Sequence, residues 1–105
     1  MKKTKSYQES LIKALKNPQD AAEYLNAALE HGEKIMFLVA LRNVAEAHGG
    51  MTKLSRSSKL NRSNLYKMMS EHGHPEIQSL HKVLESFGLK LFISVHDREK
   101  LKRAA

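Results

Sequence analysis

The chain has 105 residues, of which 41% are hydrophobic, and no cysteine. That length suits one domain with a modest core, and the missing cysteine excludes disulfides, a thiolate metal site and a cysteine nucleophile. Lys and Arg number 18 against 11 Asp and Glu, a net charge of +7 at pH 7, and small basic domains tend to meet polyanions.

The start, MKKTKSYQES, is basic, and no apolar signal run follows it. Ser6 to Lys16 reads as a short amphipathic helix with Leu11, Ile12 and Leu15 on one face. Asn17-Pro18 ends it and opens a second helix, with Asn17 as N-cap, Pro18 at the first helical position and Asp20 in the first turn. Ala21, Ala22, Leu25, Ala28 and Leu29 give that helix an apolar face as far as about His31, and Gly32 stops it. Glu33 to His48 is the most apolar helix. Its centre, Ile35 to Leu41, is apolar on every side, so it is expected to be the central buried helix. The same run is the longest apolar stretch and is too short to span a bilayer. A cytoplasmic protein without a membrane partner is expected.

After Gly49-Gly50, Thr52 to about Ser58 reads as a short polar helix anchored by Leu54. Lys59-Leu60-Asn61 connects it to a helix from Arg62 to about His72, with Asn61 as N-cap and Gly73 as C-cap. Pro75 opens another helix, striped by Ile77, Leu80, Val83, Leu84 and Phe87 and closed by Gly88. Leu89 to Val95, LKLFISV, alternates apolar and polar residues apart from Phe92, which is a β-strand pattern. A single strand needs a partner for its backbone groups, and no other segment offers one, so another copy or another protein is expected there. The expected fold is therefore all-α. It is a small bundle of about five to six helices containing a helix-turn-helix, with one short C-terminal β-strand.

Charge is segregated along this chain. Met51 to Lys67 holds Lys53, Arg56, Lys59, Arg62 and Lys67 and no acid, whereas Pro18 to Glu30 holds Asp20, Glu23 and Glu30 and no cation. Solvation alone does not require that separation. Two short helices joined by a three- or four-residue turn, the second apolar inside and polar outside, make a helix-turn-helix whose second helix enters the major groove. Carboxylates on its outer face would be repelled by phosphates. Cations and amides would be attracted and can read bases, Arg to guanine and Asn to adenine. The outer residues are Arg62, Ser63, Asn64, Tyr66 and Lys67, with no acid before Glu71.

The blocks RSNLYKMMSEHGHP and LHKVLESFGLKL, with AAEYLNAALE upstream, carry a family resemblance. The stretch resembles the Xre/Cro-type helix-turn-helix group. More closely, it is similar to the HigA-like addiction-module antidotes of bacterial toxin–antitoxin systems, over roughly residues 17 to 95. The chain is thus expected to divide into a basic arm and short helix at 1–16, a helix-turn-helix domain of the resembling type at 17–95 with the motif at about 51–72, and a charged tail at 96–105. The resemblance places Leu54, Leu60, Leu65 and Met68 in the core and Ser55 where the motif helices cross. It assigns DNA contact to Arg62, Ser63, Asn64 and Lys67, and phosphate contact to Thr52 and Lys53. With the connecting Lys59, the capping Asn61 and the outward Tyr66, these residues make up the expected DNA-binding set. The family's turn usually has glycine where Lys59 stands, so a left-handed residue there would cost about 1 kcal/mol.

The implied function is operator binding as a homodimer, autorepression and neutralisation of a small basic toxin of the RelE/ParE-like kind. The acidic residues Asp20, Glu23 and Glu30 would suit such a toxin. Two other readings use the same features. One is a stand-alone phage-type regulator without a toxin partner, and the other is a small basic RNase toxin. No Walker loop, nucleophile elbow, glycine-rich cofactor loop or HExxH occurs. The six His lack metal-ligand spacing. No catalytic residue, metal or cofactor is expected.

Overall fold

The structure is a computed structural model, and it describes residues 5–96. The described residues form six helices: α1 (Lys5–Ala14), α2 (Pro18–His31), α3 (Lys34–Ala47), α4 (Gly50–Ser58), α5 (Arg62–Met68) and α6 (Ile77–Ser86). The basic arm's Lys2 and Lys3 and the tail from residue 97 onward lie outside the described residues.

Local chemistry sets the helix ends. The Asn17 side-chain oxygen accepts from the backbone N–H of Gln19 at 2.8 Å and of Asp20 at 3.2 Å. Two otherwise free donors at the start of α2 are thereby satisfied. Gly32 ends α2 in the left-handed region, at φ 87°. Gly88, at φ 79°, ends α6. There the Leu89 N–H donates to the Leu84 carbonyl at 2.8 Å, a six-to-one bond that turns the chain away from the helix axis.

The core is built around α3, which buries Phe37, Leu38, Ala40, Leu41, Val44, Ala45 and Ala47. Helices α1, α2 and α4 each pack on it. Leu15, Leu25, Leu54, Leu65, Met69, Val83, Leu84 and Phe87 complete one continuous cluster. Each large aliphatic side chain buried this way contributes about 1.5–3 kcal/mol of transfer free energy. His48 closes one end of the cluster. Its ring lies 5.1 Å from that of Phe87, and its Nε2 is 3.3 Å from the Leu15 carbonyl.

Three expectations are corrected by this packing. The strand expected at Leu89 to Val95 is not formed. Residues 89–96 run on without regular structure, and among the described residues no strand is present. Alternation sets which face a strand would bury, but a strand also needs another strand to pair with, and the described neighbours of this segment are helices. The central run of α3 is not buried on every side either, since Met36 is 43% exposed. Likewise Leu29 and Ile77 point outward although they sit at helical spacing with buried residues, because each lies near an end of its helix, beyond reach of the core. No helix among the described residues is long and apolar enough to cross a membrane.

Candidate nucleic-acid interface

Helices α4 and α5 pack on each other through Leu54, Leu65 and Met68, all buried. The turn between them is Lys59, Leu60 and Asn61. Lys59 adopts φ 62° and ψ 24°, the left-handed region, and it is the only non-glycine described residue with positive φ. Two serines bracket the turn. The Ser55 hydroxyl donates to the Leu60 carbonyl at 2.5 Å, and the Leu60 N–H donates to the Ser58 hydroxyl oxygen at 3.2 Å. Ser58 is itself buried. These bonds hold the turn in a shape that a Cβ disfavours by about 1–2 kcal/mol. We expect Lys59→Gly to raise stability by about 0.5–1 kcal/mol, since the relieved strain exceeds the extra entropy glycine loses on folding. Thermal unfolding followed by circular dichroism measures it, and an unchanged or lower melting temperature would mean the turn is unstrained.

Asn61 starts α5. Its side-chain oxygen accepts from the N–H of Ser63 at 2.7 Å and of Asn64 at 3.3 Å, so that oxygen is committed to the cap. Beyond it Arg62, Ser63, Asn64, Tyr66 and Lys67 are all exposed on one short helix whose inner face is Leu65 and Met68. The Arg62 guanidinium sits 5.8 Å from the Tyr66 ring centre, within cation–π range. Thr52 and Lys53 are exposed in the first turn of α4, with Gly49 and Lys53 in close contact. A Cβ built on Gly49 would come within 2.5 Å of the Lys53 side chain, and Gly49 itself has φ 105°. Among the described residues the one ion pair is His81–Glu85 at 3.5 Å. Among the described residues, then, no acid is ion-paired with Lys53, Arg56, Lys59, Arg62 or Lys67. Their charge remains available to an outside anion.

Helix α5 ends at Met68, earlier than the expected His72, and its C-cap is Met69 rather than Gly73. Gly73 has a different role. It is buried where the chain folds back across the end of α5, so that a Cβ on it would collide with the Met68 carbonyl oxygen and lie 2.8 Å from the Lys67 carbonyl oxygen. Arg42 of α3 reaches the same place and donates to the Met69 carbonyl. Sequence reasoning missed this arginine. The one signal in the sequence was an arginine inside the most apolar helix, where an ionised group that becomes buried requires a partner. Lys34, at the start of α3, lies 3.1 Å from His74 Nδ1 and so ties the loop after α5 back to the core. Arg42 thus holds the end of α5 from behind. Beside its exposed face lies an open cleft of about 450 Å³, lined in part by Asn64, Lys67, His72 and His74. No group of three or more metal-ligating side chains converges among the described residues.

The fold and this surface define a small all-helical domain whose α4–α5 pair is compatible with a helix-turn-helix. The chain belongs to a family described as "Probable addiction module antidote protein", whose model matches residues 4–95. It is thus an antidote of the addiction-module kind, and the partner of such an antidote is a toxin. No curated protein and no solved structure matches the chain.

Proposed function

We propose that this antidote is a sequence-specific DNA-binding repressor of the HigA-like, Xre/Cro type, acting as a homodimer on its own operator. The observation that carries the reading is the outer face of α5: Arg62, Ser63, Asn64, Tyr66 and Lys67 exposed together, without an acid and without an ion pair to any described residue. A solvated helix gains nothing by leaving its cations unpaired, whereas a helix in the major groove needs donors there. Arg62 and Asn64 would read base edges. Lys67, and Thr52 and Lys53 at the start of α4, would hold the backbone, with Lys59 at the turn. Asn61, its oxygen occupied, would set the helix start, leaving only its amide NH2 to meet a phosphate. Two such faces in a dimer would meet half-sites about 34 Å apart.

The toxin would be a small basic protein of the RelE/ParE-like kind. Asp20, Glu23 and Glu30 are exposed on α2 and offer it a complementary charge.

A salt titration tests the DNA reading. The affinity for operator DNA should fall steeply as salt rises, because each neutralised phosphate releases counterions. Lys53→Ala should weaken binding about equally on all sequences and reduce the salt slope by roughly one unit. A slope identical to that of the unaltered chain would remove Lys53 from the interface.

A further inference from the structure

We infer that the cleft beside α5 is a second seat for the DNA backbone, where His72 and His74 meet a phosphate as imidazolium ions, so that operator binding takes up protons. This deepens the DNA reading above and rests on it. Asn64 and Lys67 belong to the outer face of α5 and also line the cleft, so one surface runs from that helix onto the loop that follows it. A helix about 10–12 Å across fills a major groove about 12 Å wide. With α5 in the groove, a phosphate backbone therefore runs along each of its flanks, and the cleft lies on one flank.

The loop holds two imidazoles at that place. Gly73, buried against the Met68 carbonyl, fixes the point between them in the chain, and its N–H donates to the Ser70 carbonyl at 2.9 Å. His72 and His74, before and after it, are both exposed. The ionisable groups that face them among the described residues are Lys67 from α5, Glu76 at the entry to α6 and Lys34 from α3. Two lysines against one carboxylate leave the cleft cationic even with both rings neutral.

Lys34 is what couples the site to protons. Its Nζ lies 3.1 Å from His74 Nδ1 and 3.3 Å from Nε2. An ammonium has only donors, so the ring must accept, and only a neutral imidazole can. A protonated His74 would set two cations side by side at that distance unless an anion came between them. A backbone phosphate is such an anion. It accepts from Lys34 and His74 at once and favours the charged ring. The contact in the free chain is thus one that a neutral His74 makes, and the contact with DNA is one that a charged His74 makes. The complex then binds more protons than its separate parts. By linkage, affinity rises as pH falls through the range where histidine changes charge, about pH 8 to 5.

Operator binding by the full chain, measured at one ionic strength from about pH 8 to about pH 6, tests this. Affinity should rise on the order of tenfold across that range. Replacing both rings, His72→Gln with His74→Gln, should reduce the rise to less than about twofold and leave affinity at the alkaline end nearly unchanged. Both side chains are exposed, so the melting temperature should hardly move. A control pair, His31→Gln with His81→Gln, alters two exposed histidines that do not line the cleft and should keep the full rise. Operator affinity independent of pH would overturn the anchor and leave the DNA reading standing. A rise that survives the first pair of changes, or disappears with the control pair, would do the same. Absence of operator preference at every pH would overturn the DNA reading and the anchor with it.

Discussion

Replacing Arg62 and Lys67 together by alanine should lower operator affinity by roughly 10²–10³-fold while the melting temperature hardly moves. The estimate joins one arginine–base contact, about 1–3 kcal/mol, to one phosphate contact whose value falls with salt. Stability is spared because both side chains are exposed and neither is ion-paired with another described residue. Arg62 gives up only its contact with Tyr66, an exposed cation–π pair worth about 0.5–1 kcal/mol. The single variants should divide the loss. Arg62→Ala should relax discrimination at one base position, and Lys67→Ala should weaken every sequence alike. Competition binding against a panel of single-base operator variants measures both. Unchanged affinity in the double variant would remove α5 from the groove.

The second large effect is on the fold. Gly73→Ala should cost about 3 kcal/mol, at the upper end of the usual penalty for overpacking. The added methyl would meet only backbone: the Met68 carbonyl group, with its carbon at 2.7 Å, and the Lys67 carbonyl oxygen at 2.8 Å. A flexible side chain could move aside, but the end of a helix held by Arg42 cannot. Gly88→Ala is the comparison. Its Cβ would meet nothing within 4 Å, so it should cost only the left-handed backbone penalty of about 1 kcal/mol. Denaturant unfolding of the two variants measures the difference. Equal losses would show that the end of α5 yields, and that Gly73 serves only as a turn.

Much of this architecture is legible in the residues because its signals are local. Asn17-Pro18 and Asn61 announce helix starts by their chemistry, and Gly32 and Gly88 announce ends. The unusual turn is also visible, since Lys59 stands where the resemblance puts glycine, and the chain does adopt the left-handed shape there. What could not be read depends on distant neighbours. The alternation in Leu89 to Val95 says which residues a strand would turn inward, but not whether anything lies beside it. The early end of α5 follows from Gly73 crossing over it and from Arg42 capping Met69 from α3, contacts between residues far apart in the chain. Leu29, Met36 and Ile77 keep the spacing of core residues yet lie outside the core, because periodicity gives the direction of a side chain and not the reach of the layer beneath it.

The DNA reading rests on a surface whose residues the fold places together and which no described acid pairs with. The most direct test is binding of the purified chain to the DNA immediately upstream of its own reading frame, set against scrambled DNA of equal length at one physiological salt concentration. The account predicts a preference of roughly 10³-fold or more for the upstream DNA. Equal binding to both, lost alike as salt rises, would contradict it and reduce the basic face to a general polyanion patch.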